Sequence, residues 1–198
     1  DGSMGSAYNI PGDGETVVGL YWAEGARAYA SSWTQAGGMV NLGSQAVTHD
    51  SRANGVNYDG SVIVGCSANP DSSLWMPTVW EDGEMTVLSY TAGWCEAKAV
   101  NPAGDIIVGM TYDYDHSIVS AGMWVKTGPE WTEYDLGYLP GTFPNGLGYV
   151  IANDLNADGS IVVGTNFFDN WNSAGFVWTV EQGLVPADEF LAGFGIAI

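Results

Sequence analysis

A thirteen-residue string recurs four times along this chain, and nothing else in the sequence restricts the fold as much. Its clearest copies run from Ala53 through Asp59-Gly60 to Val64-Gly65, from Ala97 through Ala103-Gly104 to Val108-Gly109, and from Ala152 through Asp158-Gly159 to Val163-Gly164. A weaker copy runs from Ala7 through Asp13-Gly14 to Val18-Gly19. A tryptophan follows each closing glycine by 14 or 15 residues: Trp33, Trp80, Trp124 and Trp178. A glycine turn comes next (Gly37, Gly83, Gly128, Gly183), then a short apolar run such as Met39–Leu42 or Met85–Leu88. The turn glycines Gly14, Gly60, Gly104 and Gly159 are 46, 44 and 55 residues apart, the last interval holding an insertion near Leu139–Asn145. A period of this size marks units that cannot bury their apolar faces alone and must stack.

Each unit reads as four short strands. An Asp-Gly or Ala-Gly turn between apolar runs is a hairpin signal. No stretch keeps a helical period for three turns, so helix should be scarce. The spacing predicts an all-β, β-propeller-like array of four four-stranded repeats, over about 7–46, 53–92, 97–139 and 152–187, within one domain spanning 1–198. A β-sandwich of the same hairpins is the competing architecture. Residues 188–198 read as the lead-in to a further unit, so the chain is expected to be part of a larger propeller; a closed four-bladed ring is the alternative.

Composition narrows the partners. Against 23 Asp and Glu stand 4 Lys and Arg, a formal net charge of −19. Nucleic-acid affinity comes mainly from cations that neutralise phosphates, so nucleic acid is an unsuitable partner. Anionic membrane surfaces are disfavoured for the same reason. Hydrophobic residues at 46% and aromatics at 13% belong to a packed fold, not an acidic disordered tail. No apolar run is long enough to span a bilayer, so membrane insertion is not expected. The chain opens on Asp1 without a charged segment leading into an apolar one, which suggests a mature or trimmed chain.

The quoted strings resemble the HAF-type extracellular repeat family. Its unit looks like A-x-x-I-S-x-D-G-S-x-V-V-G, then H-A-F-x-W-T, then G-M-x-x-L-G. Ser160–Gly164, Phe176–Thr179, Trp33-Thr34 and Gly38–Gly43 carry the resemblance, which covers about Ala7 to Val185. No copy has the His-Ala-Phe triplet, Ala174-Gly175-Phe176 being nearest, and the third unit has Ala103 in place of the turn Asp. The resemblance implies propeller-like repeats, an extracellular or cell-surface location and no established activity.

The aligned tryptophans are expected to pack between units. The unaligned aromatics are candidate ligand-binding residues. Tyr21 and Trp22 lie between the second and third strands of the first unit, Trp75 in the second, Tyr112 and Tyr114 in the third, and Phe167, Phe168 and Trp171 in the fourth. These segments share one face of a propeller, where aromatics could form a stacking platform for a glycan or a docking patch for a protein. The alternative is that each loop folds over its own unit. Asp154, Asn156 and Asp158 open like a calcium loop, and calcium is the one cofactor suggested. Thr165 stands where a bidentate Glu is needed, and a hairpin turn accounts for the same residues. Asp113, Asp115 and His116 form a second acidic cluster, read as a solvated loop.

Across a hairpin centred on Tyr58-Asp59, Cys66 faces Ser51, and Cys95 holds the place of Ser51 in the next unit. A disulfide between units or two buried thiols follow from that placement. Catalytic signals are few. His49-Asp50-Ser51 are neighbours in sequence, but a triad needs spatial order, and no pattern selects one carboxylate pair for glycoside hydrolysis. The chain therefore reads as a secreted, non-catalytic binding or scaffolding module with a protein or glycan partner. Self-assembly through open edges is a further expectation. The alternative is a lectin or carbohydrate-active enzyme on a propeller.

Overall fold

The computed structural model describes residues 4–23, 25, 27–142, 148–168 and 172–197. Each copy of the repeat forms one antiparallel meander. The first is β1 (Gly5–Asn9), β2 (Thr16–Ala23), β3 (Arg27–Thr34) and β4 (Gly38–Gly43). The second is β5 (Ser51–Val56), β6 (Val62–Ala68), β7 (Trp75–Glu81) and β8 (Glu84–Val87). The third is β9 (Ala97–Val100), β10 (Ile106–Asp113), β11 (Ile118–Thr127) and β12 (Glu130–Gly137). The fourth is β13 (Tyr149–Leu155), β14 (Ile161–Phe167), β15 (Ser173–Thr179) and β16 (Gly183–Pro186), followed by the short helix α1 (Ala187–Ala192). The first two units are separate sheets. The last two form one eight-stranded sheet, because β13 lies parallel to β11 through Val119 and Tyr149. Among the described residues no sheet closes on itself.

The glycine that ends each repeat string has a physical cause in the neighbouring strand. The first strand of every unit carries a β-bulge, and the pairing skips Tyr8, Asn54, Lys98 and Asn153. The bulge drives a carbonyl toward the second strand. A Cβ on Gly19, Gly65, Gly109 or Gly164 would stand 1.9, 1.9, 2.2 or 2.1 Å from the carbonyl oxygen of Ser6, Arg52, Glu96 or Ile151. Only glycine tolerates that approach. Bulges also re-aim side chains, and here they single out one residue per unit on the innermost strand.

The turn after each first strand is held by its own side chains. Asn57 and Asn156 accept from the N–H groups of Val62 and Ile161, both at 2.9 Å. Asn101 accepts from Ile106 at 3.0 Å. Where Ala103 replaces the turn Asp, Asp105 stands in the place of Ser61 and Ser160 and, like their hydroxyls, accepts from the turn Asn amide, here Asn101 at 2.7 Å.

The units pack in chain order through the aligned tryptophans. Trp80 is buried with Val18 and Ala30 of the first unit. Trp124 is buried with Val64 and Val79 of the second. Trp178 packs against the cluster that includes Val108 and Met123 of the third. Trp33 departs from the expected burial: it is 47% exposed, because no described unit covers its face of the first sheet. Within the segment read as a lead-in to a further unit, residues 188–192 form α1 together with Ala187, and the helix packs against β15 and β16. Asp188 and Glu189 fill its first turn, where negative charge suits the helix dipole. Among the described residues no helix is long and apolar enough to cross a membrane.

Candidate functional site

The bulged inner strands bring charge together between the second and third units. Arg52 and Glu96 hold equivalent repeat positions 44 residues apart. The Arg52 guanidinium donates to Glu96 Oε2 through Nη2, and to Asn54 Oδ1 at 2.8 Å through Nε. Asn54 Nδ2 donates to Glu96 Oε2 and to the Ala97 carbonyl, both at 2.8 Å. Lys98 Nζ lies 3.6 Å from Glu96 Oε1. The two bulged residues Asn54 and Lys98 thus close the cluster from either side. Burial by itself would raise the Glu96 carboxyl, but Lys98 and Arg52 outweigh it and hold the group below the usual carboxylate range.

The connection between the second and third units brings aromatic rings to this cluster. After β8 the chain runs back along the second unit, and the Cys95 N–H donates to the Trp75 carbonyl at 2.9 Å. That bond sets Trp94 beside Trp75, ring centroids 5.9 Å apart and planes tilted by 33°. The Arg52 guanidinium lies 4.8 Å from the Trp75 ring and 5.6 Å from the Tyr8 ring, within cation–π range of both. On one side of the tryptophan pair is a hollow of about 190 Å³, lined by Arg52, Glu96, Cys95 and Met110. On the other is a hollow of about 340 Å³, lined by Arg27, His49, Asp50 and Ser73. Arg27 stands 3.7 Å from Asp50 there. Each hollow therefore has its own ion pair, and the tryptophan pair is the wall between them.

The other sequence candidates pair locally. Tyr21 packs on Tyr29 at 5.9 Å, Tyr112 on Tyr114 at 5.0 Å, and Phe167 stacks on Tyr149 at 4.5 Å. Trp22 is 44% exposed at the end of β2, and the Phe168 N–H donates to the Asn172 carbonyl at 2.8 Å. Trp171 lies outside the described residues. The rings share one end of their units without forming one platform. Among the described candidates, Trp75 packs its ring on a ring from the connection between two units. Sequence reasoning missed that partner, Trp94, and with it Tyr90, whose carbonyl accepts from the Tyr114 hydroxyl at 2.7 Å. It also missed Arg52 with Glu96, although opposite charges at one repeat position were a usable signal.

Of the two arrangements the placement allowed, Cys66 and Cys95 take that of free, buried thiols. The hairpin turns about Asp59-Gly60, one step later than Tyr58-Asp59, and the bulge at Asn54 takes back half of the resulting shift. Ser51 therefore pairs with Ser67, and Arg52 with Cys66. The Cys66 thiol faces Glu96 Oε2 at 3.8 Å. Burial, reinforced by the Glu96 charge, pushes the Cys66 thiol well up. Burial also pushes Cys95 up to about 12. Both stay protonated at neutral pH, so neither is a ready nucleophile.

Asp154, Asn156 and Asp158 serve the fourth unit's turn. Asp154 accepts from the Leu155 N–H at 2.9 Å, and Asp158 accepts from the Ser160 N–H at 3.0 Å and its hydroxyl at 2.6 Å. Asp59 and Ser61 repeat the last two bonds. Among the described residues no three His, Cys, Asp or Glu groups converge to hold a metal ion. His49 pairs with the Thr48 hydroxyl at 3.0 Å, whereas the Ser51 hydroxyl donates to the Gly43 carbonyl at 2.6 Å and accepts from the Ala30 N–H at 2.9 Å. Backbone bonding thus holds Ser51 in a structural role.

No protein-family model matches this chain, and no curated protein does. Solved structures do. A putative TolB from Agrobacterium tumefaciens is similar over 89% of this chain and 62% of its own, at 12% identity and a TM-score of 0.61. TolB from Acinetobacter baumannii is similar over 92% of this chain and 45% of its own, at 12% identity and a TM-score of 0.51. The β-propeller domain of the Trilobed protease from Pyrococcus furiosus, described as having an open velcro topology, is similar over 94% of this chain and 72% of its own, at 7% identity and a TM-score of 0.50. The chain thus spans less than two thirds of either TolB. At these identities the likeness is one of fold alone: an all-β chain whose neighbours in structure are β-propeller proteins.

Proposed function

We propose that this chain is a secreted, non-catalytic propeller module that holds a protein partner at the end where the second and third units meet. The Trp75–Trp94 pair carries this reading. Trp94 is 59% exposed, yet it is pinned beside Trp75 by a backbone bond and flanked by two hollows with buried or half-buried charge. Rigid aromatics beside fixed polar groups are what a binding hot spot uses. The net charge of −19 favours a basic partner over a polyanion. The exposed Trp33 face supports reading the four units as part of a larger propeller, and an intact native mass well above 20.9 kDa is the expected observation. Membership of the HAF-type repeats remains a proposal that rests on the strings quoted above.

A glycan is the second reading, favoured by the same pair, because tryptophan faces beside polar groups also suit sugar stacking. A photo-crosslinker at position 94 tests both, with position 180, an exposed site on the fourth unit, as control. A protein adduct at 94 and none at 180, in medium from the native source, is the expected result. Glycan-array binding lost in Trp94→Ala would move the conclusion to a lectin. Neither adduct nor glycan binding would sink the site.

A further inference from the structure

A third cleft lies on the third unit's sheet, bordered by the connection after β8. It measures about 360 Å³, within the range of small-ligand sites. Thr111 of β10 lines it, and Gly122 on β11 leaves room for that side chain, since a Cβ there would stand 2.8 Å from Thr111 Cβ. The walls are Tyr90 and Thr91 from the connection after β8, Tyr112 and Tyr114 from the end of β10, and Glu133 and Asp135 from β12. Asp113 and Asp115 stand at the rim of the same cleft.

Three observations converge on a positively charged organic ligand. First, four carboxylates line the cleft and no Lys or Arg does. The chain's four cations are all engaged elsewhere: Arg27 with Asp50, Arg52 and Lys98 with Glu96, and Lys126 with Glu81. Second, Thr111 lines the cleft at 2% exposure, and its hydroxyl oxygen has no hydrogen-bond partner. Ser120, paired with Thr111 across the strands, is fully buried and equally unpartnered. Buried hydroxyls without partners are uncommon and ask for one. Third, tyrosine faces beside carboxylates recognise ammonium groups by cation–π attraction.

Charge within the cleft is uneven. Asp113 is spoken for by His116, 2.7 Å away. Asp135 accepts from the Gly137 N–H at 2.9 Å. Burial, with the Asp135 charge adding to it, raises the Glu133 carboxyl above its usual range, a Ser89 contact opposing. A cation beside Glu133 would relieve that burden. The carboxylates do not converge as a metal site requires, so an ammonium group on an organic stem fits better than a bare metal ion.

We propose that this cleft receives an alkylammonium group, with Glu133 and Asp135 as counter-charges, the tyrosines as walls and the Thr111 hydroxyl as the deep acceptor. The cleft is separate from the Trp75–Trp94 site, and its test reads independently of it.

Calorimetric titration of the whole chain with three probes provides that test: 1-aminopentane, its uncharged counterpart pentanol, and an Ala-Lys-Ala amide. One-to-one binding of both ammonium probes and none of pentanol is expected. Glu133→Gln and Asp135→Asn should each weaken binding about tenfold, as loss of a charged hydrogen-bond partner does. Asp82→Asn, in the turn at the opposite end of the second unit, should leave it within about twofold, as screening of a distant charge requires. Thr111→Val keeps shape and β propensity and should weaken binding about threefold through the lost acceptor. Tighter binding of the peptide than of the free amine identifies a lysine on a protein as the source, and equal binding identifies a small free amine. The proposal is overturned by absence of saturable binding. It is equally overturned by matching losses in Asp82→Asn and Asp135→Asn, which would reveal only diffuse attraction, or by full binding in Thr111→Val. Near-ultraviolet circular dichroism of each variant confirms that the sheet is intact.

Discussion

The junction between the second and third units and the junction between the third and fourth are built from the same template, yet they do different things. At the first, the repeat position before the inner alanine holds Arg52 and Glu96, which meet in an ion cluster. At the second, that position holds Ile151, between the buried Val150 and Ala152. There the strands fuse into one sheet through Val119 and Tyr149, and Leu139 and Thr142 from the start of the insertion are buried. Asn166 accepts from the Leu139 N–H at 2.9 Å and from the Thr142 hydroxyl at 3.0 Å. The polar junction leaves hollows open at one end; the apolar one fills. Template positions carry the packing, and the positions between them decide whether a junction is a site or a seam.

Six substitutions would break or sharpen that contrast. The largest loss is expected from Trp124→Ala, which empties a fully buried position between the second and third units and should cost about 3–5 kcal/mol in urea unfolding. Trp33→Ala removes the same template residue from an exposed face and should cost under about 1 kcal/mol by the area it hides. Equal losses would mean that Trp33 is covered in solution.

Glu96→Gln comes next. With side-chain exposures of 12% and 22% the Glu96–Arg52 pair is largely buried, and removing one charge should cost about 3 kcal/mol. The pH dependence follows from the depressed Glu96 carboxyl. Its contribution is fully present above the unfolded value near 4.5 and is lost as pH falls through the lower folded value. Urea midpoints measured down to about pH 3 should fall in the parent and flatten in Glu96→Gln at that group. A parallel fall in both proteins would assign the acid sensitivity to other carboxylates.

Asn57→Ala should cost about 1–2 kcal/mol, because it strands the Val62 N–H in a buried turn. Thermal midpoints would check this, and Asn156→Ala, in an exposed turn, should lose less. Smallest of all, Glu133→Gln should leave stability at neutral pH unchanged or slightly raised. The folded Glu133 carboxyl titrates above its unfolded value, so its favourable contribution is present at low pH and lost as pH rises through the folded value. A clear destabilisation would show that Glu133 is held by a partner of its own.

Much of the architecture was legible from residues alone. The Asp-Gly and Asn-bearing turns, the β-branched second strands and the spaced tryptophans gave four strands per unit, because period-2 patterning and turn chemistry are local properties. The closing glycines were legible as a pattern but not as a cause: the carbonyl of Arg52 or Glu96 that forbids a side chain lies on another strand. The binding residues were harder to read. Trp94 and Tyr90 lie in the connection after β8, outside the repeated string, so no alignment of units singled them out. The cysteines were misplaced because a one-residue slip in a hairpin changes which side chains face each other, and the bulge introduces such a slip.

By itself, the sequence determined an acidic, all-β chain of stacked units, since repeat spacing, turn residues and charge count need no knowledge of distant contacts. The tertiary structure alone decided which acids lost their counter-charges and which aromatics met. The four cations are spent on Asp50, Glu81 and Glu96, leaving Glu133 and Asp135 unneutralised in a tyrosine-walled cleft. Electrostatic and stacking energies depend on separations of a few ångströms, and those separations are fixed between units, where bulges and connections set the geometry.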